Sequence, residues 1–144
     1  MDWTTASSGA YAGDQGRVFF GIGRASGMHS ATLLRASADN QAQSEMAGLI
    51  KAYLFALADA AGIDTSRTED RQMLFDLSRD VLQQARIVDH RYRDGSGTVM
   101  ALCRLDLERL KQVLAANRYA DPSVTKRLLL QADKMHAEMV AHQF

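Results

Sequence analysis

Cysteine is nearly missing from this chain. Cys103 is the single cysteine among 144 residues, so neither an intramolecular disulfide nor a cysteine-based metal cluster can form. Its place in the apolar run 99–105 predicts a buried thiol. A reactive thiolate needs exposure and nearby positive charge, and Arg104, the adjacent cation, points to the opposite face of a strand. Net charge is missing too. Seventeen basic side chains offset seventeen acidic ones, which leaves no long-range attraction for a phosphate backbone and argues against nucleic acid as a partner. The local cluster of Arg86, Arg91 and Arg93 does not change this. Arg91 and Arg93 share one face of a strand, and a solvated sheet face explains them better than an anion site. No apolar run approaches the roughly 20 residues needed to cross a bilayer. Residues 1–12 have neither the basic start nor the apolar core of a signal peptide. Two histories fit: a cytoplasmic protein, or an export signal that once preceded Met1. Composition does not choose between them.

What is present is a clear α+β pattern. Residues 84–106 read as two strands joined at Asp94-Gly95-Ser96-Gly97, residues that accept the positive φ of a tight reversal. Residues 17–25 read as another strand, whose glycines imply close approach by a second backbone. Between them, residues 31–61 carry Leu34, Ala38, Ala42, Met46, Leu49, Ile50, Tyr53, Leu57 and Ala61 at three- and four-residue steps. This is one apolar helix face, with Ser30 or His29 near its start and Gly62 as its stop. A second helix is expected to about Gln84, capped by Thr65 or Ser66. Asp106 is expected to cap a third helix ending near Asn117, and Pro122 opens a fourth with Val124, Leu128, Ala132, Met135 and Met139 on its face. The expected fold is therefore a small antiparallel sheet of about three strands packed on a long helix with additional helices. Residues 1–16 read as a flexible leader or loosely docked arm, ahead of a single domain over residues 17–144. The long helix, about 45 Å at 1.5 Å per residue, outruns so small a sheet. Phe55 lies nearly opposite its Met46 face, a candidate interface that either packs under another helix or meets a partner chain. The second face of the sheet also needs cover, which points to a homo-oligomer.

The chemistry-bearing motifs are weak. Gly21-Ile22-Gly23-Arg24-Ala25-Ser26-Gly27 invites a dinucleotide reading, but Ser26 stands at the third glycine. The helix that follows also runs too long for a second parallel strand to complete the unit. A glycine-relieved strand and loop accounts for it better. His136, Glu138 and His142 look like metal ligands. Yet His136 and His142, six residues apart, are about 120° apart around a helix and do not face one ion. His136 reads as an exposed helix residue. Asp39, Glu45 and Asp59 lack any pairing argument for acid–base work and read as solvated helix faces. No catalytic, cofactor-binding or metal-binding residue is assigned.

The order and spacing of several segments resemble a bacterial family, the LPP-twenty lipoproteins, and the related domain of flagellar assembly protein T. Trp3 followed by Phe20-Gly21-Ile22-Gly23-Arg24-Ala25 resembles the family's W … G-x-G-x-A opening. Residues 38–47 resemble its A-x-x-x-A-R-x-E helix, with Gln43 in place of Arg. Residues 85–90, Asp94-Gly95 and residues 101–106 resemble its R-I-V-D … d-G … A-L-a-R-L-D hairpin, with Met100 in place of Tyr. The resemblance covers roughly residues 17–115. It implies a dodecin-like α+β fold and an exported protein of the periplasm or outer membrane, usually tethered through an N-terminal lipid. The family's lipidated cysteine has no counterpart here, since Cys103 is internal, and the family brings no catalytic residues.

The leading expectation is a non-enzymatic cell-envelope protein with a structural, assembly or interaction role. Its partners would be copies of itself and envelope or flagellar proteins. The alternative is a module binding a flavin-like or lipid-like molecule between helix and sheet. A third reading, a cytoplasmic enzyme, would draw on His29, His90 and Asp89.

Overall fold

Ser30 begins the longest element of the protein. In the computed structural model, which describes residues 1–27, 29–93, 95 and 97–142, its hydroxyl accepts the Leu33 amide at 3.2 Å and caps α1, Ala31–Ala60. The helix ends where Gly62 takes φ +74°. There the Ile63 amide reaches back to the Ala58 carbonyl at 2.9 Å and the Gly62 amide to Asp59 at 3.1 Å, the paired bonds that satisfy the last orphan carbonyls. The other elements are β1 (Gly9–Gly13), β2 (Gly16–Ala25), α2 (Thr68–Leu82), β3 (Arg86–Arg93), β4 (Thr98–Asp106), α3 (Leu107–Ala116) and α4 (Pro122–His142).

The sheet has four strands in the order β1-β2-β4-β3, all neighbours antiparallel. The expected three are thus corrected to four. The extra strand comes from the segment read as a leader: β1 pairs with β2 from Gly9↔Phe20 to Gly13↔Gly16. Trp3, ahead of it, is buried. A stretch of Ser, Gly and Ala carries little apolar signal of its own, and pairing with β2 supplies what propensity does not. In the hairpin, Gly95 and Gly97 both have positive φ, while Asp94 and Ser96 lie outside the described residues.

The two sheet faces are covered differently. On one side Phe19, Ala25, Val99, Ala101, Cys103 and Leu105 pack under α1 and join the main core. On the other, Val18, Phe20, Ile22, Met100 and Leu102 are covered by Trp3, with Ala6 and Tyr11 at the margin. The chain therefore covers the central part of its own second face, which removes one of the two geometric reasons for expecting an oligomer.

The glycines of β2 set how closely α1 approaches. A Cβ on Gly21 would lie 2.4 Å from the Ala42 carbonyl oxygen, and one on Gly23 would lie 2.1 Å from that of Ala38. The predicted close backbone approach is there, and its partner is the small-residue stripe Ala38, Ala42 of α1. Beyond the sheet, α1 packs on α2 and α4, so the helix that outruns the sheet finds further cover within the chain. The Tyr53 hydroxyl donates to the Ala132 carbonyl at 2.6 Å, with its ring edge-on to Phe19.

One cap moves from its expected residue, and another stands at its expected residue without the capping bond. Arg67, not Thr65 or Ser66, holds the cap position of α2, without a side-chain bond. The Ser66 amide and hydroxyl are instead bound by the Asp64 carboxylate at 2.9 and 2.6 Å, a turn that uses up the serine upstream. Asp106 does precede α3, but it makes no capping bond; its carboxylate takes Arg104 Nε at 3.0 Å.

Candidate functional site

Alternation along β3 decides which polar residues can meet. Asp89 and His90 are neighbours in sequence, so they emerge on opposite faces of the sheet. Asp89 pairs across with Leu102 on the Trp3 side, and His90 with Ala101 on the α1 side. They do not form one site, and His29 lies exposed in the loop before α1. The trio His29, His90 and Asp89 is therefore not assembled.

Each acquires a different partner. His90 Nε2 donates to the Asp39 carboxylate at 2.5 Å, with both side chains largely covered. Asp39, expected as a solvated helix residue, is thus the acceptor of a helix-to-strand bond. On the other face the Trp3 indole N–H donates to Asp89 Oδ2 at 3.1 Å. The His90 amide donates to Asp89 Oδ1 at 2.8 Å, and Arg91 Nε approaches Oδ2 at 3.3 Å. The Trp3 bond, followed by the His90 amide and Arg91, holds the Asp89 carboxyl below the usual carboxylate range against a smaller opposing effect of burial. A bulge between Ile87 and Asp89 sets this register.

Cys103 completes the neighbourhood of the Asp39–His90 pair, since it lies on the same sheet face. A thiol, an imidazole and a carboxylate together resemble a nucleophile set. The electrostatics run the other way. Burial, and then the Asp39 charge, push the Cys103 thiol up to about 11, so it is protonated at neutral pH, and it is wholly buried. A thiol in this state is a packing group, as its apolar sequence context predicts.

His136 departs most from its sequence reading. Expected to be exposed, it is buried. Its Nε2 donates to the Val18 carbonyl at 2.9 Å, and its ring lies edge-on to Phe19. The signal was present: His136 follows Leu128 and Ala132 at the same four-residue step, and these three with Thr125 form the buried stripe of α4. Met135 and Met139, placed on that face by sequence, are partly buried beside it. Among the described residues no group of three or more His, Cys, Asp or Glu could hold a metal ion.

His136 yields a pH prediction. Burial, opposed by its bond to Val18, lowers its pKa from 6.5; of its charged neighbours Arg17 lowers it further and Asp133 raises it. A histidine with a lowered folded pKa favours the fold when neutral. Its contribution is complete above 6.5 and is lost as pH falls below that value, where the unfolded chain takes up the proton first. The carboxylates with lowered values titrate from 3.8 downwards, outside this window. Urea midpoints should fall between pH 7 and pH 5, and His136→Gln should flatten that part of the profile; an unchanged slope in the variant would refute the assignment.

Phe55, the candidate interface, is partly buried against the main core and packs on Phe75 of α2 with ring centroids 5.8 Å apart. Of the two alternatives open for it, an intramolecular neighbour is the one observed. Lys51 Nζ lies over the Phe75 ring, 5.0 Å from its centroid.

No protein-family model matches the chain, and no curated protein matches it.

Proposed function

We propose that this protein is a non-enzymatic module of the bacterial cell envelope, facing the periplasm or held at the outer membrane, that acts by docking other proteins, copies of itself included. One observation carries the reading: Trp3, Gly21, Gly23 and Asp89, four residues behind the lipoprotein-family resemblance, are spent on architecture. Trp3 and Asp89, which come from its opening and its hairpin, bond to each other at 3.1 Å. Gly21 and Gly23 from the opening meet Ala42 and Ala38 of the helix motif. Motifs used in this way specify a frame, consistent with the dodecin-like arrangement that the resemblance implies, and leave the surface to carry the function.

The surface supports docking at β3. This strand ends the sheet, and it exposes Val88 by 52% and Tyr92 by 60%. An end strand offers unpaired backbone groups to a further strand. The ligand-binding alternative gains nothing from the seam it would need. The space between α1 and the centre of the sheet is closed by contacts in which even an added Cβ would collide.

Two measurements test this. Light scattering across a concentration series should give a mass above that of the monomer, and Val88→Lys should lower it; a strict monomer at high concentration removes self-docking. Membrane fractionation with metabolic lipid labelling addresses location. Label in the envelope fraction supports an anchored module, unlabelled protein in the periplasm supports an exported but unanchored one, and unlabelled protein in the cytoplasm overturns the envelope reading.

A further inference from the structure

At the start of β3 the sheet places two arginines side by side. Arg86 and Arg104 are register partners on adjacent strands, so their side chains leave the same face. Like charges directly opposite one another destabilise a strand pair. A third guanidinium, Arg109 in the first turn of α3, joins them around an open cavity of about 430 Å³ lined also by Gln84, Val88 and Asp106. Three cations thus face one carboxylate, in a chain whose overall charge is zero.

The partners of these arginines orient them with little neutralisation. Arg109 is held by the amide oxygens of Gln84 at 2.9 Å and Gln112 at 3.1 Å. Arg104 is held by the Gln15 carbonyl at 3.0 Å and its amide oxygen at 3.2 Å, besides Asp106. Glutamine oxygens fix a guanidinium in place and leave its charge intact. Among the described residues Arg86 meets no acceptor. The same cavity abuts the start of α3, where Asp106 has turned to Arg104 and gives no side-chain bond to the first amides. That adds the positive end of a helix dipole to the three cations.

We propose that this cavity is a binding site for a phosphate-class anion, the phosphomonoester of a soluble small molecule or of a lipid headgroup. A carboxylate presents two oxygens and is satisfied by one guanidinium fork, whereas a phosphomonoester presents three and suits several forks converging from different elements. The cavity shares Val88 with the β3 docking edge, but the assignment does not rest on docking there, because phenyl phosphate binding and the mass of the protein are read separately.

Calorimetric titration with phenyl phosphate tests it, using Arg86→Gln and Arg109→Gln. Saturable binding is expected, weakening about tenfold or more in each variant, the consequence of losing one charge-assisted bond. Arg86→Gln should at the same time unfold no earlier than the parent chain, because it relieves the repulsion with Arg104. Absence of saturation at millimolar phenyl phosphate, or binding by both variants as tight as that of the parent chain, overturns the proposal. Vesicles of phosphatidylcholine with and without phosphatidic acid separate the two sources. Sedimentation with the phosphatidic acid vesicles that Arg86→Gln abolishes identifies a headgroup; phenyl phosphate binding without sedimentation identifies a soluble phosphomonoester.

Discussion

Gly23→Ala is expected to lower stability by about 3 kcal/mol or more. The new Cβ would sit 2.1 Å from the Ala38 carbonyl oxygen and 2.5 Å from the Ala42 amide nitrogen. Both are backbone atoms of a long helix, so no side chain can swing aside. Either α1 lifts from the sheet and opens the seam along Ala38, Ala42 and Met46, or β2 bows away and breaks its register with β4. Gly23 does not have a positive φ, so the loss is steric, with no contribution from backbone strain. Gly48 is the internal control. It lies within α1, with nothing within 4 Å of an added Cβ, and Gly48→Ala should stabilise the protein by about 0.5–1 kcal/mol through helix propensity alone. Urea unfolding of the two variants therefore gives opposite signs for the same chemical change. A Gly23→Ala midpoint equal to that of the parent would mean that the helix does not lie on β2 as described.

One side of this seam was legible in the sequence. The glycines of the strand implied close approach by another backbone, whereas Ala38 and Ala42 read only as part of an apolar helix face, and their pairing with Gly23 and Gly21 emerges from the assembled fold. Helix α1 was legible, because 30 residues of sustained period, a serine at one end and a glycine at the other leave few alternatives. Strand β1 was not. Gly9-Ala10-Tyr11-Ala12-Gly13 has no strand-like alternation of its own and becomes a strand because β2 offers it an edge. His136 illustrates a different loss. Its position on the α4 stride was readable, but its imidazole type argued for exposure, and the acceptor that makes burial tolerable, the Val18 carbonyl, is 118 residues away. The Asp39–His90 bond, across 51 residues, and the meeting of Arg86, Arg104 and Arg109 depend on tertiary placement in the same way. Local pattern reports which face a residue occupies, and only the assembled sheet reports what stands opposite.

Trp3→Ala is expected to cost about 3–5 kcal/mol, a large share of the 5–15 kcal/mol that holds a typical domain. Trp3 is 8% exposed, and it is the largest side chain covering Val18, Phe20, Ile22, Met100 and Leu102. Its removal uncovers apolar surface and also deprives Asp89 of the indole N–H that contributes most to its lowered pKa. Trp3→Phe separates the two effects. It keeps most of the apolar cover and loses the bond, so its cost should be only about 1 kcal/mol. Dye binding to exposed apolar surface should rise in Trp3→Ala and stay near the parent value in Trp3→Phe. The variant also bears on oligomerisation. A second sheet face left bare would need a partner, and in this chain Trp3 is what prevents that. If the parent self-associates through β3, then Val88→Lys dissociates it and Trp3→Ala adds a second, less specific association that Val88→Lys does not reverse. Should Trp3→Ala unfold with the parent's midpoint and bind no more dye, the amino-terminal segment is not the cover of this face, and the case for a partner chain on it returns.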